Sequence, residues 1–103
     1  MYMLTNTKAE EFDWDIYNKY KSVRKHGISN RRTESVFVDD KKILYKDRVY
    51  SNREDRFIII GKDFTGKTLF VVFTIRNSKI GPISARPASR KERRIYEEKQ
   101  KRS

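Results

Sequence analysis

The chain has 103 residues, with 25 Lys and Arg against 14 Asp and Glu, one His and no Cys, for a formal net charge of +11. That length fits one domain with a modest core, and the lack of cysteine excludes a disulfide framework, a thiolate metal site and a thiol nucleophile. The charge points to a polyanionic partner, and it is local: residues 76–103 hold ten basic and three acidic residues, +7 of the +11.

Residues 1–9 carry no pattern and are expected to fray. Glu11-Phe12-Asp13-Trp14 reads as a short strand that delivers Phe12 and Trp14 to the core, with Asp15 placed to cap a first helix. That helix is expected to run to His26, where Lys25 and His26 supply cations at its negative end and Gly27 takes the left-handed conformation. Ser29 is the N-cap of a second short helix to about Phe37, burying Val36 and Phe37.

The period then changes to that of a sheet. Ile43-Leu44-Tyr45 is a first strand, followed by a charged turn at Lys46-Asp47-Arg48. Arg56 to Ile60 is a second, stopped by Gly61. Asp63-Phe64-Thr65-Gly66 has hairpin composition, and Leu69 to Ile75 is expected to be a central strand buried on both faces. A turn falls at Asn77-Ser78, and the fourth strand, Ile80 to Arg86, carries Pro82, which favours an edge position or a bulge. From Ala88 the chain is helical, with Ser89 and Glu92 as a capping box. Ala88, Ile95 and Tyr96 are nearly all this helix has to bury, and residues 99–103 are expected to be flexible. Two N-terminal helices, about four antiparallel strands and a C-terminal helix make one α+β domain. The longest apolar run, Leu69–Ile75, is far short of the roughly 20 residues of a bilayer span, and no signal-peptide pattern opens the chain. A cytoplasmic location with no membrane association is the expectation.

Conventional catalytic equipment is sparse. The acidic residues form no ligand spacing, so no metal and no cofactor are expected. Gly61-Lys62-Asp63-Phe64-Thr65-Gly66-Lys67-Thr68 has the spacing of a P-loop, but a strand follows where that motif needs a helix, so a hairpin turn is the better reading. RNA cleavage needs neither metal nor cysteine. The adjacent 2′-hydroxyl attacks the phosphate when a base takes its proton, cations stabilise the phosphorane, and an acid assists the leaving 5′-oxygen. Strand alternation puts Glu54, Arg56, Ile58 and Ile60 on one face, as it does Phe70, Val72, Thr74 and Arg76, and Ser84 and Arg86. A hairpin closing at residues 63–67 pairs Arg56 with Thr74 and Glu54 with Arg76. Lys62, Lys67 and Arg86 gather at the other end, near Arg90 and Arg93 of the last helix. Two basic clusters therefore compete for the role of reacting centre. The plain alternative for Glu54 and Arg76 is a cross-strand ion pair worth well under about 1 kcal/mol. For Lys25 and His26 it is a helix C-terminal cation pair. Tyr96, on an otherwise polar helix, is expected to leave its hydroxyl free to reach a phosphate.

The order Phe12-Asp13-Trp14-Asp15, Lys25-His26-Gly27-Ile28-Ser29, Val36-Phe37, Glu54-Asp55-Arg56, Ile60-Gly61, Thr74 with Arg76, Ile83-Ser84-Ala85-Arg86, and Glu92-Arg93 with Tyr96 resembles the BrnT toxin family over residues 11–98. The resemblance implies a RelE-like fold and a metal-independent endoribonuclease that acts as a bacterial type II toxin and inhibits translation. It also implies a BrnA-like antitoxin with a ribbon-helix-helix DNA-binding domain, through which the complex reaches operator DNA and represses its own operon. On this reading Arg56, Arg76 and Arg86 hold the phosphate, Lys25, His26, Glu54 and Tyr96 are the candidates for proton transfer, and Lys62, Lys67, Arg90 and Arg93 bind the RNA backbone. The chain departs from the family pattern at Asn18, Ser22, Asn30, Arg31 and Gly81, which removes polar groups from the first helix and the fourth strand. Two rival readings are a catalytically silent nucleic-acid-binding module or co-repressor in a toxin-antitoxin complex, and a ribosomal or RNA-chaperone-like basic protein.

Overall fold

The computed structural model of the chain describes residues 11–14, 25–47 and 55–102. Within them the elements run α1 (Asn30–Val36), β1 (Ile43–Asp47), β2 (Arg56–Lys62), β3 (Thr68–Arg76), β4 (Lys79–Pro87) and α2 (Arg90–Arg102). The strands form one antiparallel sheet in the order β1-β2-β3-β4. This is the expected α+β arrangement with a four-stranded sheet and a C-terminal helix. Of the helix expected before α1, only Lys25 and His26 fall within the described residues. Both are helical, and Gly27 after them has φ +66°, the left-handed stop that glycine adopts without steric cost.

Short-range signals set most of the boundaries. Ser29 accepts a hydrogen bond from the Arg32 N–H and caps α1. Ile28, Val36 and Phe37 then enter a core on one face of the sheet with Ile59, Leu69, Val71, Phe73, Ile80 and Ala85. Phe12 packs edge-on against Phe37, and its segment runs along the outer edge of β4, where the Ile80 N–H donates to Glu11 O and the Asp13 N–H donates to Ile80 O. The β2–β3 turn is tied by Asp63, whose carboxylate accepts from the Thr65 N–H, the Thr65 hydroxyl and the Lys67 N–H and pairs with Arg32 at 2.8 Å. Gly66 supplies the positive φ of that turn. Asn77 and Ser78 both have positive φ, which gives the two-residue turn whose twist suits a hairpin. Pro82 stands in an edge strand at a bulge: Val72 pairs with Ser84 but Phe73 with Pro82, so Ile83 is the additional residue.

Four expectations need correction. β1 continues through Lys46 and Asp47, which pair with Phe57 and Arg56 instead of turning. β3 is not buried on both faces: Leu69, Val71 and Phe73 are fully covered, while Phe70 and Val72 on the other face, where α2 is the covering helix among the described residues, are half-buried. α2 continues through Arg102, so residues 99–102 are helical. Gly61 does not stop β2, since Lys62 beyond it pairs with Thr68.

Gly61 is there because α1 comes close. A Cβ at that position would lie 3.0 Å from Val36 Cγ1 and 3.2 Å from Asp39 Oδ2. Gly61→Ala is therefore expected to destabilise the fold by about 1–3 kcal/mol, the cost of overpacking. Urea unfolding checks it, with a lower midpoint and an unchanged slope expected. A midpoint equal to that of the parent chain would show that α1 yields without cost.

Candidate functional site

Register and alternation write the second sheet face as rows. Ile43, Ile60, Phe70 and Arg86 stand side by side, then Tyr45, Ile58, Val72 and Ser84, then Asp47, Arg56, Thr74 and Gly81, with Arg76 beyond. α2 crosses the first row. It starts with a capping box, in which the Ser89 N–H donates to Glu92 and the Glu92 N–H donates to Ser89 Oγ. One turn later Tyr96 packs on Ile58 and Ile60. In the remaining rows Ile58, Thr74 and Gly81 are buried, Arg56, Val72 and Ser84 are half-buried, and Tyr45 is exposed. The two basic clusters that compete in the sequence are thus the two ends of one face, with Arg86 at the end nearer the β2–β3 turn. Strands about 4.8 Å apart and a rise of about 3.3 Å per residue put the Cα atoms of Arg56 and Arg86 roughly 16 Å apart, a span that two arginine side chains reach into from either end.

Arg86 is the most firmly built group on this face. Its guanidinium makes two 2.8 Å hydrogen bonds to the Glu92 carboxylate and one to Pro87 O, and lies 4.1 Å from the centroid of the Phe70 ring. The bond to Glu92 pushes the guanidinium pKa up despite burial, so the cation is permanent. Burial pushes the Glu92 carboxyl up, but the Arg86 and Ser89 hydrogen bonds outweigh it and hold the group below the usual carboxylate range. At the other end Thr74 is 1% exposed and donates its hydroxyl to Asp55 O. Gly81 leaves Thr74 Cγ2 and Arg76 Cδ at 3.4 and 3.9 Å from where a Cβ would sit.

Tyr45 is a residue of this face that the sequence reading passed over. It is 43% exposed, beside Ile58 in the middle row. Burial and the Glu92 and Asp47 carboxylates raise its phenol pKa against the opposing charge of Arg86, so the hydroxyl stays protonated. The signal was its shared parity with Ile43 in a strand paired to Arg56–Ile60, which requires the β1–β2 register and not β1 alone.

Other expected residues are placed differently. Tyr96 is not free: it is 3% exposed, and its hydroxyl donates to Asp39 Oδ2 at 2.6 Å. Burial and that carboxylate raise its pKa well above the ordinary phenol value. Ile95, expected in the core, is 43% exposed. Lys25 and His26 are exposed and lead into Gly27, whose carbonyl accepts from Arg32, the partner of Asp63. They therefore belong with the β2–β3 turn on the α1 side, and not with Arg56, Arg76 and Arg86. Lys62 and Lys67 are exposed at that same turn, Arg90 is exposed at the start of α2, and Arg93 donates to Ala88 O. Glu54 lies outside the described residues, as do Asn18 and Ser22. Among the described residues there is no group of three or more His, Cys, Asp or Glu that would hold a metal ion, and no helix long and apolar enough to cross a membrane.

The comparisons with known proteins agree with one another. A family model described as the ribonuclease toxin, BrnT, of type II toxin-antitoxin systems matches residues 14–92, well over half of the chain. The 1.1 Å crystal structure of the Brucella abortus ribonuclease toxin BrnT is similar in fold. It has 20% sequence identity and a TM-score of 0.59, and the match covers 80% of this chain and 100% of that one. No curated protein sequence matches the chain.

Proposed function

The chain belongs to the BrnT family of type II toxin-antitoxin ribonucleases, and on that premise we propose that it cleaves RNA without a metal ion on the sheet face that carries Arg56, Arg76 and Arg86. The observation that carries the proposal is Arg86, a guanidinium fixed by Glu92 and Phe70 on the face that also presents Arg56, Thr74 and Arg76. In this reading the 2′-hydroxyl gives its proton to solvent as its oxygen forms a bond to phosphorus, the bond from phosphorus to the 5′-oxygen breaks, and the three arginines stabilise the extra charge of the phosphorane between these events. Donors aimed in advance at developing charge need no rearrangement during the reaction, which is why a pinned arginine counts for more than a mobile one. Tyr45, held protonated, is placed to donate to a departing oxygen. Lys62, Lys67, Arg90 and Arg93, with Lys25 and His26 at the β2–β3 turn, hold the RNA backbone on either side.

RNA cleavage in the cytoplasm would arrest translation, and a BrnA-like ribbon-helix-helix antitoxin would silence the toxin and carry the complex to its own operator. The resemblance in motif order supports this part. The test is incubation of an RNA oligonucleotide with the purified chain in EDTA. The expected result is cleavage at an undiminished rate, leaving 2′,3′-cyclic phosphate ends, with Tyr45→Phe slower by about 10²-fold. Loss of cleavage on chelation overturns the metal-free scheme. RNA bound but left intact by the parent chain would favour a silent binding module.

A further inference from the structure

α2 has two working sides. Glu92, Tyr96 and Gln100 recur every fourth residue on the ridge that faces the domain, reaching Arg86, Asp39 and the Lys41 carbonyl. On the flank beside that ridge, Lys91, Arg94, Ile95, Glu98 and Lys99 recur at the spacing of one helical face. Together with Ile43 of β1 they enclose an open groove of about 560 Å³. Its apolar lining is the pair Ile43 and Ile95, and its charged lining is three cations against one carboxylate. Ile95 is thus an aliphatic side chain of a highly charged helix left 43% exposed, on a groove that it shares with a second isoleucine. Among the described residues nothing covers it.

We propose that this seam between β1 and α2 seats the antitoxin, through an acidic segment that lays an aliphatic side chain between Ile43 and Ile95 and its carboxylates along Lys91, Arg94 and Lys99. This rests on the toxin reading for the existence of the partner, while the place and the chemistry come from the groove. An RNA strand is the poorer occupant, because sequence-tolerant binding of single strands relies on flat rings that stack on bases, and two isoleucines offer none. An aliphatic anchor ringed by opposite charge is instead how a protein segment gains both affinity and register. The seam also explains how occupation silences the site. β1 gives Ile43 to the groove and, two residues on, Tyr45 to the second sheet face, so a segment continuing along β1 passes over Tyr45 and closes that face to RNA.

The experiment titrates the full chain with the antitoxin expressed from its own operon. The variants are Ile95→Ser and the double charge reversal Lys91→Glu with Arg94→Glu, and RNA cleavage by each free variant is measured in parallel. All three side chains are exposed, so thermal unfolding is expected to match that of the parent chain. Affinity should fall about tenfold for Ile95→Ser and about 100-fold for the charge reversal, with cleavage by the free variants unchanged. Antitoxin affinity within twofold of the parent for both variants overturns the proposal. A fall in RNA cleavage on charge reversal also overturns it, by making the seam an RNA surface. If the parent chain cleaves no RNA yet antitoxin binding still depends on these residues, the docking site stands and the ribonuclease reading fails by itself.

Discussion

Arg86→Ala is expected to lower kcat/KM for RNA by about 10²–10³-fold, the usual cost of removing one preorganised donor to developing charge. The size follows from how the guanidinium is held. Two hydrogen bonds donated to Glu92 and the Phe70 ring below fix its plane, so the cation meets the phosphorane without first being ordered. The substitution does more than delete a charge, because it leaves the Glu92 carboxylate, two-thirds or more buried in its side chain, facing the RNA without its counter-ion. Arg86→Lys keeps the charge but loses the two-pronged geometry and the stacking, so it is expected to recover little. Glu92→Gln separates the roles. Gln still serves a capping box, but it no longer holds the arginine, so kcat falls while KM moves little, the pattern of a positioning residue. The pair is partly exposed, so its loss should cost stability only about 1 kcal/mol. Kinetics on an RNA oligonucleotide, with circular dichroism as the control for folding, provide the check. A folded Arg86→Ala chain that cleaves within threefold of the parent would remove Arg86 from the reacting centre.

The legible parts of the fold are those decided within a few residues. Gly27, Ser29, the Ser89–Glu92 box and the Asn77-Ser78 turn each act through a backbone conformation or a cap that their own side chains dictate, and the sequence reading placed all four. What it missed depends on packing between distant segments. Gly61 looks like a strand breaker until α1 is known to press on it. Ile95 and Tyr96 are neighbours on a helix with few apolar residues, and which one turns inward is settled by Asp39, fifty-seven positions away from Tyr96. The same contact withdraws the Tyr96 hydroxyl from chemistry and leaves Tyr45, among the described residues, as the exposed phenol of that face. Alternation correctly put Arg56, Thr74, Arg76 and Arg86 on one face. It gave no means of seeing that α2 lies over the first row and reaches Ile58 of the second through Tyr96.

Asp39→Ala is expected to cost about 3–4 kcal/mol of stability and to remove RNA cleavage with it. Asp39 Oδ2 accepts from the Lys62 N–H at 2.8 Å and the Tyr96 hydroxyl at 2.6 Å, and Oδ1 accepts from the Lys41 N–H. It joins the end of β2, the chain after α1 and the middle of α2. Deleting it strands the buried Tyr96 hydroxyl without a partner, and an orphaned buried donor costs about 1–3 kcal/mol before the other bonds are counted. The activity follows because Glu92 lies one turn before Tyr96 on α2, so a loosened Tyr96 loosens the hold on Arg86. The clamp also shapes the pH dependence. Burial pushes the Asp39 carboxyl up, but hydrogen bonds from Tyr96, Lys62 and Lys41 prevail, and its pKa lies below the ordinary value, as those of Asp63 and Glu92 also do. A carboxylate depressed by folding stabilises fully above its unfolded pKa of about 4, and that stability is lost as pH falls through the folded value. Tyr96 is raised instead, so its contribution is complete below the unfolded phenol pKa of about 10 and is lost only as pH rises through the folded value. Urea midpoints should therefore be flat from about pH 5 to 9 and fall steeply below about pH 4, with a shallower acid limb in Asp39→Ala because one of the three carboxylates is gone. Asp39→Asn keeps an acceptor for Tyr96 and should lie between the two. If Asp39→Ala unfolds at the parent midpoint, α2 is held by Glu92, Gln100 and apolar contact, and Arg86 owes its position to the helix cap and not to the clamp.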